Sequence, residues 1–275
     1  MSKKRLDELL VERELIDSTD MAKRLVMAGS VYSDQIRMDK PGMKVDENIP
    51  LSVKVKHIPY VGRGGLKLEK ALDVFRISAE GRTMVDIGSS TGGFTDCALQ
   101  NGARLCYAID VGYNQLDWRL RNDERVVVME RTNFRYVTPE MLEHGKPDLA
   151  TIDVSFISLK KMLPVLKELL EAKSDVVALI KPQFEARREE VGEKGIVREK
   201  KVHQRVVGEI IGFAEQEGYQ MYGLTYSPIT GGDGNIEFLG HFGWGKTEEG
   251  CQFTDQDIID AVDEAHDALH PQKNH

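Results

Sequence analysis

The stretch Thr83-Met84-Val85-Asp86-Ile87-Gly88-Ser89-Ser90-Thr91-Gly92-Gly93-Phe94 decides the reading of this chain. The apolar, β-branched run at 82–85 predicts a buried strand, and 95–100 predicts a helix stopped by Asn101-Gly102. Between them lies a glycine-rich turn. Its glycines let the backbone approach a ligand closely, and the free N–H groups of the turn and helix start face that ligand. The spacing is G-x-x-x-G-G, whereas the dinucleotide fingerprint G-x-G-x-x-G needs glycine where this chain has Ser90. Asp86 sets a carboxylate at the strand end beside the turn.

Working outward, 104–110 is a second strand ending in an acid, Asp110, one βαβ step later, where a carboxylate grips ribose hydroxyls. Further strands are expected at 126–129, 149–153, 176–180, 220–226 and 236–242. Helices are expected at 159–172 and 201–217, the latter with Val202, Val206, Ile210 and Phe213 on one face. Alternating strands and helices mean an α/β fold with a doubly wound parallel sheet. The last two strands are joined by 227–235, too short for a crossover helix, so they pair antiparallel. Seven strands with one reversed, and an acid-ended glycine loop, resemble the Rossmann-like class I methyltransferases. That resemblance implies S-adenosyl-L-methionine as cofactor. Gly88, Ser89, Ser90, Thr91, Gly92, Gly93 and Phe94 would line its methionine side, with Asp86 near the amino group and Asp110 on the ribose. Asn133 is placed near the adenine or serves as a turn residue, and Asp153 borders the cofactor.

Composition bounds the rest. The chain has 275 residues, 41% of them apolar, enough for one main core and a small module. Cys97, Cys106 and Cys251 are isolated, which fits a reducing cytosol and argues against a disulfide framework or a structural zinc. The N-terminus has no apolar signal core and no run approaches the ~20 apolar residues that span a bilayer, so a cytoplasmic location is expected. The net charge of −8 is uneven: residues 247–275 hold one lysine against eight acids. The remainder is near neutral and does not exclude a polyanionic partner.

Residues 1–57 read as a separate unit. Leu6, Leu9, Leu10 and Leu15 begin a helix that also carries Arg5 and Arg13. An N-cap cluster at 18–20 starts a second helix, 21–27, ended by Gly29, and short strands follow near 31–32 and 51–56. The ordered sub-motifs R-L-D-x-L-L, A-x-x-L-x-x-A-G-x-V and K-P-G-x-x-V, at 5–10, 22–31 and 40–45, resemble the small RNA-binding domain of the ribosomal-protein S-four type. By that resemblance Arg5, Arg13, Lys23 and Arg24 face RNA phosphates. Residues 58–62 form the linker, 63–246 the second domain, and 247–275 an acidic tail, helical in part.

In an open α/β sheet the carboxyl ends of adjacent strands gather around one crevice. Asp153 and Lys181 end neighbouring strands, Lys67 starts the helix leading into the sheet, and Glu237 lies in Gly234-Asn235-Ile236-Glu237-Phe238. An unbroken apolar strand delivers Lys181 to the crevice, where a surface lysine would be out of place. Lys67, Asp153, Lys181 and Glu237 match, in order and context, the K-D-K-E set of FtsJ-related ribose 2′-O-methyltransferases. Together with G-R-G-G-x-K-L, D-I-G-S-S-T-G-G-F-T-D and I-D-V-S-F-I-S-L, residues 5–243 resemble the TlyA family. Its members are described as ribosomal RNA 2′-O-methyltransferases and often labelled haemolysins. The resemblance implies methyl transfer to ribosomal RNA within ribosomal subunits, with no metal, no membrane and no obligate protein partner. Lys181 would act as base or alkoxide stabiliser, and Arg63 would contact RNA. A non-catalytic RNA-binding protein and an indirect haemolysin-like activity are the alternatives.

Overall fold

The computed structural model describes residues 3–16, 18–27, 29–34, 36–53, 59–232, 234–247 and 253–269. The chain divides into two compact units, Met1–Pro59 and Tyr60–His275.

In the first unit, strand β1 (Lys3–Arg5) leads into helix α1 (Leu6–Glu12), and α2 (Thr19–Met27) follows. Strand β2 (Val31–Ser33) pairs antiparallel with β3 (Ile36–Arg37) and with β5 (Ser52–Val53), while β1 pairs with β4 (Lys44–Asp46). Leu6, Leu9, Leu10, Ala22, Val26 and Val31 make its core. Leu15 stays exposed, because α1 ends before it. Arg5 and Arg13 flank α1 and do not lie on it. The expected strand at 51–56 is described only as far as Val53.

The second unit begins before residue 63. Tyr60 bonds Glu69 through its hydroxyl at 2.7 Å, and the Val61 amide donates to Asp96 at 2.7 Å, so this end of the expected linker is anchored to the second unit. Helix α3 (Gly65–Phe75) precedes β6 (Thr83–Ile87), α4 (Gly93–Gln100), β7 (Leu105–Ile109), α5 (Trp118–Arg121), β8 (Val126–Met129) and β9 (Leu149–Ile152). Then come α6 (Leu163–Leu169), β10 (Ser174–Ile180), α7 (Pro182–Glu185), α8 (Lys200–Gln216), β11 (Gln220–Tyr226), β12 (Phe238–Trp244) and α9 (Asp255–Leu269). The helix expected at 159–172 is instead a 3-10 turn, Leu159–Lys161, followed by α6, which opens with Pro164 in its first turn. Proline lacks the N–H that a continuous helix would need from it.

The seven strands lie in the order β11-β12-β10-β9-β6-β7-β8. All pairs from β10 to β8 are parallel, and β12 runs antiparallel to both neighbours. The reversed strand is last in the chain but not at the sheet edge. It inserts between β10 and β11, where its backbone completes two ladders. β10 shows why the sheet is covered on both faces: Val176, Ala178 and Ile180 enter one core cluster, Val177 and Leu179 the other. The C-terminal segment is less free than its charge suggests. Helix α9 buries Ile258, Ala261, Val262 and Ala265, and His266 Nε2 meets His203 Nδ1 on α8 at 2.9 Å. Its acids occupy the outer face of an amphipathic helix. Among the described residues no helix is long and apolar enough to cross a membrane.

Candidate active site

The order of strands reverses at β6, whose neighbours are β9 and β7, so the crevice opens at their carboxyl ends. Gly88 makes this possible. Its φ is +86°, and a Cβ there would lie 2.4 Å from the Asp153 carbonyl oxygen. Ser90, with φ +49°, takes the left-handed turn without being glycine. Its amide donates to Asp110 Oδ2 at 2.8 Å, and the Gly112 amide donates to Oδ1 at 2.7 Å. Asp110 is thereby fixed in the wall of a cavity of about 490 Å³, with Val111, Gln115, Asn133, Phe134 and Met162. Asn133 lines this cavity, and its Oδ1 accepts from the Arg135 amide at 3.2 Å to cap a turn, the second of the roles expected for it.

Asp86 is 1% exposed. Its Oδ2 accepts from the Thr95 amide (3.1 Å) and hydroxyl (2.7 Å), and its Oδ1 accepts from the Thr151 hydroxyl at 2.9 Å. Burial pushes its carboxyl up to about 6, against these hydrogen bonds. Ser89, Thr91, Gly93 and Phe94 line a larger cavity beside it, of about 770 Å³. Gly92 lines neither: its φ of +96° lies in the left-handed region that favours glycine, and a Cβ there would also meet the Leu120 side chain at 2.2 Å.

The two cavities share Gly88, Ser90, Asp153, Ser155 and Phe156. At this junction the four residues singled out by sequence form a chain of ion pairs. Glu237 Oε2 lies 2.8 Å from Lys67 Nζ, which lies 3.5 Å from Asp153 Oδ2, and Asp153 Oδ1 contacts Lys181 Nζ. Lys67, Lys181 and Glu237 are each less than a tenth exposed. Burial would raise the Asp153 carboxyl, but the Lys67 and Lys181 ammoniums on either side outweigh it and hold Asp153 below the ordinary carboxylate range. Lys181 Nζ also donates to Ser155 Oγ at 3.3 Å. Glu237 sits just before β12, in the turn delivering that strand, because the strand starts at Phe238.

Four contributors were not legible as site residues. Ser155 and Phe156 stood in a quoted motif, and Gln183 and Phe184 follow Lys181. Phe156, with φ +63°, is 91% exposed on the rim, and its ring lies 5.0 Å from that of Phe184. Gln183 Nε2 donates to Glu237 Oε1 at 3.2 Å, leaving Gln183 Oε1 buried without a hydrogen-bond partner. Only an exposed aromatic at a strand end could have flagged this rim in advance.

The candidate RNA contacts are mixed. Arg5 forks onto Asp7 (2.7 and 3.1 Å), and Lys23 lies 3.3 Å from Asp20. Arg13 donates to the Ile49 carbonyl at 2.6 Å and to the Glu47 carbonyl, which ties the helix end to the 46–50 turn. The Arg24 side chain is outside the described residues. Arg63 is exposed and lines the larger cavity.

This fold and this crevice define a Rossmann-like methyltransferase of the adenosylmethionine-dependent class. Residues 60–244 match the family described as FtsJ-like methyltransferase, and the chain belongs to that family. It is 60% identical over 272 residues to the Bacillus subtilis (strain 168) protein named "Putative rRNA methyltransferase YqxC", covering 98% of this chain and 97% of that one. It is 40% identical over 262 residues to "16S/23S rRNA (cytidine-2'-O)-methyltransferase TlyA" of Mycobacterium tuberculosis, covering 95% and 96%. A solved structure titled "Putative hemolysin from Streptococcus thermophilus" matches with a TM-score of 0.77 at 50% identity, covering 98% and 97%.

Proposed function

We propose that this protein methylates a ribose 2′-oxygen of ribosomal RNA, using S-adenosyl-L-methionine as donor. The observation that carries the reading is the Glu237–Lys67–Asp153–Lys181 chain at the junction of two cavities, one suited to a nucleoside and one open to a larger substrate. Relatives aligned over nearly the whole chain carry ribosomal RNA methyltransferase names, which supports the substrate class.

The cradle fits the cofactor. Gly88 and Gly93 sit where a Cβ would strike backbone, at 2.4 Å and 2.8 Å, so only glycine leaves the loop open at this depth. Asp110 would hold the cofactor ribose, Asp86 would face its amino group, and the Phe134 wall would take the adenine. When bound, the cofactor supplies a methyl group on a positively charged sulfur. The remaining work belongs to the chain. Lys181, anchored by Asp153 and Ser155, orients the 2′-hydroxyl and stabilises negative charge on its oxygen as the proton passes to solvent water at the open crevice. Lys67 and Glu237 hold Asp153 in register. The unpartnered Gln183 Oε1 accepts a hydrogen bond from a second substrate group, and exposed Phe156 offers a face on which a base stacks. The first unit, with basic residues such as Arg5 and Lys23, supplies RNA affinity.

The test maps ribose methylation in ribosomal RNA from cells with and without the protein, and then assays the purified chain lacking residues 1–59. Expected are one or more missing 2′-O-methyl groups, and a truncated protein that binds adenosylmethionine but modifies ribosomal subunits poorly. Identical methylation maps would refute the substrate. A truncated protein as fast as the full chain would refute the role of the first unit.

A further inference from the structure

The segment between α7 and α8 carries a lysine for which the proposed reaction has no use. Two 3-10 turns, Arg188–Glu190 and Glu193–Gly195, shape it. Lys194 is exposed, lines the larger cavity, and adopts φ +62°, ψ +19°. Glycine is the favoured residue in that left-handed region, so the backbone alone does not call for lysine.

The turn is held by another residue. Asn235 is 2% exposed, its Nδ2 donates to the Gly195 carbonyl at 2.9 Å, and its Oδ1 accepts from the Val197 amide at 3.0 Å. Two residues later the same segment delivers Glu237 to the ion-pair chain. Arg63, also lining the cavity, lies four residues before Lys67. Both cations line the same cavity as the ion-pair chain. Among the described residues neither lies within ion-pair distance of a carboxylate. The buried chain matches two ammoniums with two carboxylates, so its formal charges cancel and it offers a polyanion little net attraction. The rim cations supply that attraction.

We propose that Lys194 and Arg63 are phosphate contacts that grip the substrate strand on either side of the ribose presented to Lys181, with Asn235 as the positioning residue for Lys194. This rests on the reading that the substrate is RNA. Lysine serves phosphate as a compact point charge, and each such contact displaces counterions from the nucleic acid.

Lys194→Gly is the discriminating variant, because the left-handed backbone suits glycine and folding should not suffer; thermal unfolding checks this. With ribosomal subunits from cells lacking the protein, KM for subunits should rise about three- to tenfold, kcat should hold within about twofold, and the slope of log kcat/KM against log salt should shrink by about one. Lys194→Arg should restore the slope, and Arg63→Ala should reproduce the loss. Asn235→Ala should raise KM in the wild-type background and add little to KM in the Lys194→Gly background. An unchanged KM and salt slope in stable Lys194→Gly, or an equal loss of adenosylmethionine affinity, overturns the proposal. If the wild-type chain methylates no ribosomal RNA, the function reading fails separately. The salt slope for binding labelled ribosomal RNA, wild type against Lys194→Gly, then still decides whether the contact exists.

Discussion

Lysines 67 and 181 carry the same group in the same ion-pair chain, yet the structure assigns their loss opposite consequences. Lys181 sits at the end of the chain. Its removal leaves Asp153 with Lys67 at 3.5 Å, so no buried carboxylate loses its last cation. Lys67 sits inside the chain, and its removal strips the cation from Glu237, 2% exposed, whose other partner is the neutral Gln183 at 3.2 Å. Breaking a buried pair from one side costs about 3–5 kcal/mol. For a domain of this size about 2–4 °C of melting temperature goes with each kcal/mol, so Lys67→Ala should melt about 10 °C lower. Lys181→Ala should melt close to the wild type. Its turnover should fall ~10²–10³-fold, the usual loss for a donor that stabilises negative charge on a reacting oxygen, which is about 3–4 kcal/mol of transition-state stabilisation. Lys181→Arg should also fail, since a planar guanidinium cannot replace a compact ammonium wedged between Asp153 and Ser155. The assays are single-turnover transfer from labelled cofactor to ribosomal subunits, and circular dichroism melts of the same preparations. A Lys181→Ala protein that keeps more than half its rate refutes the catalytic assignment. One that melts as low as Lys67→Ala refutes the order of charges in the chain.

Two further outcomes follow from the same geometry. Burial pushes the Asp86 carboxyl up to about 6, and the proposed placement of Asp86 against the cofactor's amino group requires its ionised form, so adenosylmethionine affinity should rise as pH increases from 5 to 7. Calorimetry in buffers of different ionisation enthalpy should show proton release below pH 6; pH-independent affinity across that range removes Asp86 from the cofactor site. Arg13→Ala should destabilise the first unit, because two backbone carbonyls lose their donor, by about 1–3 kcal/mol. RNA affinity measured below the melting range should change little, and a selective affinity loss with an unchanged melt would return Arg13 to the RNA-facing set.

Much of the fold was legible because its signals are local. Buried strands with apolar runs, the Gly88–Gly93 turn, and the acids at Asp86 and Asp110 each declare themselves within a few residues. The spacing of 227–235 forced an antiparallel pair. Local signals erred where packing or a single residue overrode them. Pro164 broke the helix expected at 159–172, and α1 ended before the Arg13 and Leu15 it was expected to carry; in 247–275, expected to be helical in part, packing closes the apolar side of α9 on α8 and β11.

By itself the sequence determined the alternation of strands and helices and the glycine cradle, because propensity and periodicity act between near neighbours, while the set of four charged residues was singled out by its resemblance to the FtsJ-related family. Only the tertiary structure decided that β12 inserts between β10 and β11, that Gly92 turns outside both cavities, that Gln183 lines the cavity with a free acceptor, and that the charges run in the order Glu237–Lys67–Asp153–Lys181. Those residues lie up to 170 positions apart along the chain. Their order is a property of distance and burial, which the sheet sets by bringing strand ends together, and no local spacing encodes it.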